Sequence, residues 1–443
     1  MKNNLNSLAK EKNIAVLGAG ITGLAVVKTL QKRGYPVTLI SDTKPDLPLD
    51  ITYIKDNLPF EAKSLQLLIK SPGIPPKHSI LQQAKREGIA IQSEIEWSRR
   101  HFSGKVVGIT GTDGKSTTTA LVQSLFASTY PKTKMGGNIG IPFCQFCEED
   151  LQYAILELSS YQLEDSQQLA MDSTALLNLA NDHLERHKTA RNYLRAKLKI
   201  LDSGNDNRPF VTSIHMKDII LQERDLPTHS YYFGETKGCH AQILAKEAKI
   251  AGLATNYDTS QFPLLGKHNL ENLAAAILLA ELNGVKSQHI QEQIAKFNGL
   301  AHRFQIVQVK QGVTFINDSK ATNLNSLLAG LKGFAKRHRL ILILGGEPKQ
   351  EPLDPLLAEL QGRSLLVYLY GQARNTWRTE LQKNLGENLI IAEDLQTVME
   401  DVSQKLKKQY YQTVLFSPGC ASFDQYKNFV ERGESFINFV KKI

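Results

Sequence analysis

The sequence predicts an α/β protein of three domains, and three observations carry that reading. A short apolar run, Ile14 to Leu17, leads straight into Gly18-Ala19-Gly20-Ile21-Thr22-Gly23, a full G-x-G-x-x-G. A second apolar run, Val106 to Ile109, leads into the glycine-rich turn of VVGITGTDGKSTTT. Beyond residue 300 the chain again alternates apolar runs with helical stretches, and polar loops follow several of the runs. The chain of 443 residues suits two or three domains at roughly 100–200 residues each. The divisions fall at 1–98, 99–300 and 301–443.

The first domain opens on a βαβ unit. After the glycines a helix runs from Thr22 to about Arg33, and Val37 to Ile40 is a second strand ending at Ser41-Asp42. An acidic residue about 20 positions after the glycines meets the dinucleotide fingerprint, so the direct reading is a Rossmann unit that binds NAD. The glycines guarantee only close backbone approach to a diphosphate, and a UDP-sugar would serve as well. Leu67 to Ile69 is a third strand, with Ser71-Pro72-Gly73 at its carboxyl end, where α/β sheets bind ligands. A plain turn explains that tripeptide equally well.

The second domain follows the helix that carries Glu94 and Trp97. Gly111 and Gly114 let the chain turn tightly before a helix begins at Ser116, and backbone N–H groups in such a turn form an anion nest for phosphates. Lys115 supplies a cation for the terminal phosphates, and the Ser116 or Thr117 hydroxyl suits Mg²⁺. The spacing is G-x-x-G-x-x-G-K-S through Gly108, Gly111 and Gly114, because Ile109 stands where the strict Walker pattern has glycine. The reading is an ATP site on a P-loop sheet. Gly136-Gly137-Asn138-Ile139-Gly140 reads as a glycine-rich loop able to touch a ligand. The strand Tyr153 to Leu156 delivers Glu157, and the strand Thr174 to Leu179 runs into Asn181-Asp182-His183-Leu184-Glu185-Arg186-His187. Carboxylate and imidazole groups at strand ends near a P-loop are candidate Mg²⁺ or substrate ligands; singly, each is more often a cap or loop residue. Lys197, on a helix from about Thr189 to Ile200, reads by itself as a solvated helical lysine. Residues 205–262 alternate short strands with polar turns, and helices follow over Leu270–Leu282 and Ser287–Phe297.

In the third domain the strands are Arg303–Val309, Val313–Asn317, Leu340–Leu344, Leu365–Leu369 and Thr413–Phe416. Three loops follow strand ends: Asp318-Ser319-Lys320-Ala321-Thr322-Asn323, Gly345-Gly346-Glu347-Pro348-Lys349 and Ser417-Pro418-Gly419-Cys420-Ala421-Ser422. They mark a ligand face on this domain too.

Composition bounds the rest. The net charge is +9, from 53 basic and 44 acidic residues. Short basic clusters such as Lys336-Arg337-His338-Arg339 and Lys405-Leu406-Lys407-Lys408 read as solvated faces, because no aromatic-interleaved basic motif points to nucleic acid. Cys144 and Cys147 form a lone C-x-x-C without the second pair a zinc site needs, so incidental thiols are expected. The first residues lack the apolar core of a signal peptide, and no run approaches the ~18 residues of a membrane span. A cytoplasmic protein without nucleic-acid or membrane partners is expected.

GITGTDGKST, ELSSYQLE, NDHLERH, HRF, NDSKATN and SPGCASFDQYKNFVERG occur in the order found in Mur ligases, and the chain resembles that family over nearly its whole length. NDSKATN and the SFDQY tail resemble its D-glutamate-adding branch. The resemblance implies three domains, with a uridine-nucleotide-binding domain first, a central ATPase and a C-terminal Rossmann-like domain. It implies an ATP-dependent amide ligase acting, as a monomer, on UDP-N-acetylmuramoyl-L-alanine and D-glutamate through an acyl phosphate. By similarity the first glycines cradle a UDP diphosphate, and Ile21, Thr22, Thr43, Ser71, Pro72, Gly73 and Asn138 line the UDP-sugar. Gly111, Thr112, Asp113, Gly114, Lys115, Ser116 and Thr117 hold ATP, and Asn272, Arg303 and Asp318 contact adenine, phosphate and ribose. Two Mg²⁺ are implied, one on Ser116 and Glu157, the other on His183 with Lys197, which the resemblance implies is carbamylated. Lys320 and Thr322 face the acyl phosphate and the incoming amino acid, while Lys349, Ser422 and Phe423 hold D-glutamate. The catalytic set is therefore Lys115, His183, Lys197 and Lys320. Asp113 and Glu185 depart from the family's usual Asn and Asp. Because acyl phosphates hydrolyse, the third domain is expected to close around hinges near residues 99 and 300 once ATP binds.

Two other classes compete. A nicotinamide-dependent oxidoreductase rests on G-x-G-x-x-G with Asp42, and NADH or NADPH titration tests it. A non-enzymatic P-loop switch needs no His183, Lys197 or Asp318. A sibling ligase with another acceptor is the closer rival, and the Ser422 motif argues against it.

Overall fold

The structure is a computed structural model that describes residues 13–443 apart from 46–50, 59, 61–64, 181, 183, 203–206, 265, 298 and 350, and the side chain of Leu184. The chain divides into two compact units, residues 1–262 with 267–297, and residues 263–266 with 298–443. It is an α/β protein of three sheets, two in the first unit and one in the second.

The first sheet is built from β1 (Ile14–Leu17), α1 (Ile21–Lys32), β2 (Val37–Ser41), β3 (Thr52–Lys55), β4 (Leu67–Lys70), α2 (Ser79–Arg86), β5 (Ala90–Ser93) and α3 (Glu94–His101). Its order is β3-β2-β1-β4-β5, all parallel. Strand side chains alternate between faces, so Ile14 and Val16 pack with Val26, Val27 and Leu30 of α1, while Ala15 and Leu17 pack with Ile80, Leu81 and Ala84 of α2. The strand order reverses between β1 and β4, and that switch point is where ligands enter such sheets.

The second sheet contains β6 (Lys105–Thr110), α4 (Lys115–Ala127), β7 (Thr133–Gly137), β8 (Tyr153–Glu157), α5 (Ser160–Glu164), β9 (Ser173–Leu176), α6 (Leu184–His187) and α7 (Ala190–Leu198). It continues through β10 (Phe210–Ser213), α8 (Lys217–Leu221), β11 (Ser230–Gly234), β12 (Ala241–Leu244), β13 (Lys249–Ala251), β14 (Asn256–Asp258), α9 (Lys267–Leu282) and α10 (Ser287–Lys296). The nine strands run β14-β13-β12-β11-β10-β9-β6-β8-β7, parallel from β7 to β12 and antiparallel at β13 and β14. In α9 every residue from Asn272 to Ala280 is buried, which fits its apolar run of Leu and Ala on all sides. The first two sheets are tied by a buried Lys70–Asp165 ion pair and by the Ser93–Ser166 hydroxyl contact at 2.7 Å. Arg33 adds a bond to Glu148 and one to the Cys147 carbonyl.

The third sheet holds β15 (Gln305–Lys310), β16 (Val313–Asn317), α11 (Leu324–Leu331), β17 (Leu340–Gly345), α12 (Asp354–Leu360), β18 (Leu365–Tyr370), α13 (Ala373–Thr376), α14 (Arg378–Leu385), β19 (Leu389–Ile391), α15 (Leu395–Lys408), β20 (Thr413–Gly419) and α16 (Phe429–Lys442). Its order is β15-β16-β20-β17-β18-β19, with only β15 antiparallel. Leu340, Leu342 and Leu344 face α11, α12 and α14, and Ile341 and Ile343 face α15 and α16. Arg432 of α16 is fully buried and donates to the carbonyls of Ser319, Cys420 and Ala421 and to Ser319 Oγ at 2.8–3.1 Å. Replacing it with leucine strips those carbonyls of their donor, at about 1–3 kcal/mol for each group left unpaired. Thermal unfolding of Arg432→Leu is therefore expected several degrees below wild type.

Two sequence expectations change. Gly136 and Gly137 end β7 and are not loop residues. A Cβ at Gly136 would collide with the Ile141 carbonyl, and one at Gly137 with the Glu157 carbonyl, so these glycines serve close backbone approach. Ser417-Pro418-Gly419 belongs to β20 and does not form a loop; the register shift between Ile343 and Gly345 on β17 lies opposite Pro418, whose missing N–H is tolerated at such irregularities.

Candidate active site

In the first unit, β6 ends at Thr110 and α4 begins at Lys115, with Gly111 at φ 155 and Gly114 at φ 77. Gly114 is left-handed, and a Cβ there would collide with Asn272 Oδ1. Asn272 meets the loop because α9 packs against α4, and Thr118 Oγ1 donates to Asn272 Oδ1 at 3.2 Å. Gly114→Ala is expected to lower stability by about 1–3 kcal/mol and to weaken ADP binding, measured by thermal shift and by titration.

Asn178, which sequence reasoning passed over, holds the loop. Its Oδ1 accepts from Thr112 N and Asp113 N at 3.1 and 2.9 Å, and its Nδ2 donates to the Asp113 carbonyl. Those two amides face Asn178, so the anion-binding donors fall to the start of α4, where the helix dipole also favours phosphate. Asp113 itself is exposed. Lys115 Nζ donates to the Thr112 carbonyl at 2.6 Å.

Below the loop, Ser116 Oγ donates to Glu157 Oε2 at 2.5 Å and Asn138 Nδ2 donates to Glu157 Oε1 at 2.8 Å. The sheet order places β8 beside β6, which brings Glu157 to the start of α4. Lys197 is 1% exposed, so its reading as a solvated lysine is overturned. Its Nζ donates to the Gly111 carbonyl at 2.6 Å and lies 4.4 Å from the Tyr193 ring centre. Burial first, and the Lys115 charge second, push its pKa down to about 7. His187, buried at the end of α6, contacts Ser160 Oγ at 3.0 Å and lies 5.3 Å from the Tyr193 ring. His187 closes the 181–187 run that the sequence offers as a source of ligands, whereas Tyr193 is marked there only by its helical i,i+4 spacing from Lys197. His183 lies outside the described residues.

The donor set fits Mg²⁺. A serine hydroxyl and a buried carboxylate are hard oxygen ligands, and Ser116 Oγ and Glu157 Oε2 lie side by side, within reach of one cation. Among the described residues no three His, Cys, Asp or Glu groups converge as a metal site.

The first sheet gathers a second set at the β1/β4 switch point. Ser71 N donates to the Leu17 carbonyl at 3.0 Å, and Ser71 Oγ to the Gly18 carbonyl at 3.3 Å. A Cβ at Gly23 would collide with the Gly18 carbonyl, so that glycine lets helix and strand close up. Ile21 is 81% exposed at the start of α1, beside Thr22. Thr43, just past β2, donates from N and Oγ1 to Asp42 Oδ1. Pro72 and Gly73 continue the turn after Ser71. Asn138 follows β7 of the second sheet, where its Nδ2 donates to Glu157.

In the second unit the remaining residues line the carboxyl ends of the third sheet. Asp318 follows β16; its Oδ1 accepts from Phe304 N at 3.1 Å and its Oδ2 from Ser417 Oγ at 2.7 Å. Burial raises its pKa to about 7 against those two bonds and the nearby Arg303 charge. Arg303 sits between His302 at φ 62 and Phe304 at φ 46, a pair of strained conformations typical of functional turns. Lys320 Nζ lies 4.1 Å from the Phe429 ring centre, and Thr322 follows in the same loop. Lys349 lines a cavity of about 340 Å³ with Glu351, Asp354, Trp377 and Glu380. Ser422 is buried and Phe423 is 70% exposed. The four cysteines are not disulfide-bonded, and burial raises the Cys147 thiol to about 12, so the C-x-x-C is inert as a nucleophile. No helix among the described residues is long and apolar enough to cross a membrane.

Comparison with known proteins covers the same ground. The family model "Mur ligase MurD-like, N-terminal domain" matches residues 12–93, "Mur ligase middle domain" residues 109–280, and "Mur ligase, glutamate ligase domain" residues 302–420. A UDP-N-acetylmuramoylalanine–D-glutamate ligase of Leptospira interrogans is 44% identical, over 97% of this chain and 96% of its own. One named alike from Alkaliphilus oremlandii is 34% identical over 98% and 99%. Among solved structures, UDP-N-acetylmuramate-alanine ligase MurC of Thermotoga maritima aligns at a TM-score of 0.58 and 19% identity, over 97% of this chain and 99% of its own. MurF of Acinetobacter baumannii aligns at 0.61 and 16% identity, over 98% and 92%. Both structures share the fold. With its three domain types matched in order along most of its length, the chain belongs to the Mur ligase family.

Proposed function

We propose that the protein is an ATP-dependent ligase that joins D-glutamate to UDP-N-acetylmuramoyl-L-alanine, releasing ADP and phosphate, in peptidoglycan precursor synthesis. The observation that carries this is the similarity to named D-glutamate ligases, which runs through both compact units and not through the ATP loop alone. Residues 1–98 would bind the UDP-sugar, 99–300 ATP and 301–443 the amino acid, in a monomer acting on small molecules in the cytoplasm.

An alanyl carboxylate is inert to amines because its oxygen leaves poorly. In the proposed reaction the carboxylate oxygen bonds to the γ-phosphorus of ATP while the bond to the bridging oxygen breaks, and ADP departs. The D-glutamate amine then attacks the carbonyl carbon, the tetrahedral adduct expels phosphate, and the amine gives up a proton. Negative charge gathers at both steps, so preorganised cations matter most. Lys115 at the α4 N-terminus supplies one. Ser116 and Glu157 would hold a first Mg²⁺, which when bound screens the phosphate charges. His183 and Lys197 would hold a second. An ammonium cannot ligate a metal, so Lys197 would first react with CO₂, its nitrogen bonding to carbon and losing a proton to give a carbamate. A pKa of about 7 makes the neutral amine available for that step. Asn272, Arg303 and Asp318 would contact the nucleotide, and Lys320 and Thr322 the acyl phosphate. Lys349, Ser422 and Phe423 would hold D-glutamate. Ile21, Thr22, Thr43, Ser71, Pro72, Gly73 and Asn138 would hold the UDP-sugar.

The test is phosphate release from ATP and Mg²⁺ with UDP-N-acetylmuramoyl-L-alanine and a panel of D-glutamate, L-glutamate, L-lysine and meso-diaminopimelate. Release with D-glutamate alone is expected. Release with another acceptor keeps a ligase and overturns the acceptor assignment.

A further inference from the structure

The amino ends of the third sheet form a strongly basic surface. β16, β17, β18 and β20 start level with one another, as the pairings Thr314↔Thr413, Leu340↔Thr413 and Leu340↔Leu365 show, and antiparallel β15 ends there opposite Val313. Five separate stretches meet at this end: residues 305–314, 332–341, 361–366, 402–413 and 438–443. Together they contain eleven Lys or Arg and no Asp or Glu, in a chain whose whole excess is +9.

Contacts fix the stretches beside one another. Arg339 N donates to Gln412 Oε1 at 3.0 Å, and its guanidinium lies over Tyr411. Lys336 pairs through its carbonyl with Ser364 N. Val313, Tyr411, Leu406, Phe439 and Ile443 share one apolar cluster beneath the cations. The nearest acids stand apart or are engaged: Glu359 is paired with Arg363, Asp401 accepts the Tyr368 hydroxyl, Glu400 lies more than a turn back along α15, and Glu387 precedes β19 at the far edge. Lys405, Lys407, Lys408, Lys441 and Lys442 occupy the last turns of α15 and α16, where a cation also complements the helix dipole. That accounts for the helix-end lysines, Lys332 at the C-cap of α11 included, but not for Lys336, Arg337 and Arg339, which lie in a loop and are exposed.

We infer that this basic end is a docking face for an anionic lipid surface. Eight of the eleven cations are lysines, hydrated point charges on flexible stems that suit a diffuse layer of headgroups. Recognition of bases or single phosphates favours arginine forks. Arg363 is committed to Glu359 and the Phe334 carbonyl, and Arg339 to Tyr411. Tyr410, 54% exposed at the rim, is the amphipathic ring type that lies at membrane–water boundaries. Clusters of four to eight such cations bind anionic leaflets, each contributing near the surface and all screened by salt. The candidate amino-acid residues line the carboxyl ends of the same sheet, so docking by the amino ends leaves them clear.

The experiment is flotation of the full-length protein with vesicles of phosphatidylcholine alone or mixed with phosphatidylglycerol. Binding to the mixed vesicles only, lost in high salt, is expected. Lys405→Glu/Lys407→Glu/Lys408→Glu is expected to lower partitioning on the order of a hundredfold, with phosphate-release activity in solution unchanged. The same charge change at exposed Lys237, Lys246 and Lys296 should cost far less. Equal binding to neutral vesicles, equal losses in both triple variants, or no binding to mixed vesicles each overturns the proposal. So does stronger binding to RNA than to mixed vesicles, which would make the face a nucleic-acid site.

Discussion

Replacing Lys197 with alanine is expected to lower kcat by about a thousandfold or more, the scale at which one preorganised charge-stabilising group acts. The side chain is 1% exposed, touches the Gly111 carbonyl and stands over Tyr193, so alanine also removes packing beneath the ATP loop. Rescue separates chemistry from packing. If a carbamate is the working form, wild-type activity rises with added bicarbonate, while Lys197→Met, which fills the same space, stays inactive with or without it. The sign of the pH dependence follows from the lowered pKa. The neutral amine predominates only above about 7, so carbamate formation, followed by ¹³C NMR with labelled bicarbonate, rises as pH passes upward through that value. Stability carries the same signature. Burial lowers the folded pKa from the ordinary lysine value of 10.5, so the unfolded chain binds more protons between about 7 and 10.5 and wild-type stability climbs with pH across that window. Lys197→Met should flatten that climb in chemical denaturation.

Lys115→Met is expected to lower kcat/KM for ATP by about a thousandfold. Its ammonium sits at the N-terminus of α4 beside the Thr112 carbonyl, where it would meet the charge that builds on the transferring phosphoryl group. The variant has a second, separable effect. The Lys115 charge is the second cause of the low Lys197 pKa, so removing it should raise that pKa and move bicarbonate dependence to higher pH. Loss of turnover without any displacement of the Lys197 titration would break the coupling between the two lysines.

Much of this site was legible in the sequence because backbone-driven features leave fixed signatures. The glycines at 111 and 114 announced positive φ, and strands β1, β6, β8 and β17 announced themselves as apolar runs. Missed strands were of another kind. β3 is TYIK, β5 is AQ-like in its polarity as AIQS, and β19 has three residues; their pairing comes from neighbours, not from their own pattern. Lys197 was misread for a related reason. On a nine-residue helix with arginines at 191 and 195, nothing local says that the Gly111 carbonyl, 86 positions away, closes over the amine beside Tyr193. Asn178 stayed hidden because its role, accepting from two amides 65 and 66 positions earlier, exists only once β9 lies beside β6. The basic end of the third sheet was read as scattered solvated clusters, since only the common start of four strands brings them together.

The most direct measurement follows oxygen. With both alanyl carboxylate oxygens of UDP-N-acetylmuramoyl-L-alanine labelled with oxygen-18, the proposed acyl phosphate hands one label to the released phosphate and leaves the other in the new amide. The account predicts singly labelled phosphate and singly labelled dipeptide, formed only with D-glutamate present. Unlabelled phosphate would contradict it, because ATP would then be hydrolysed by water without activating the carboxylate.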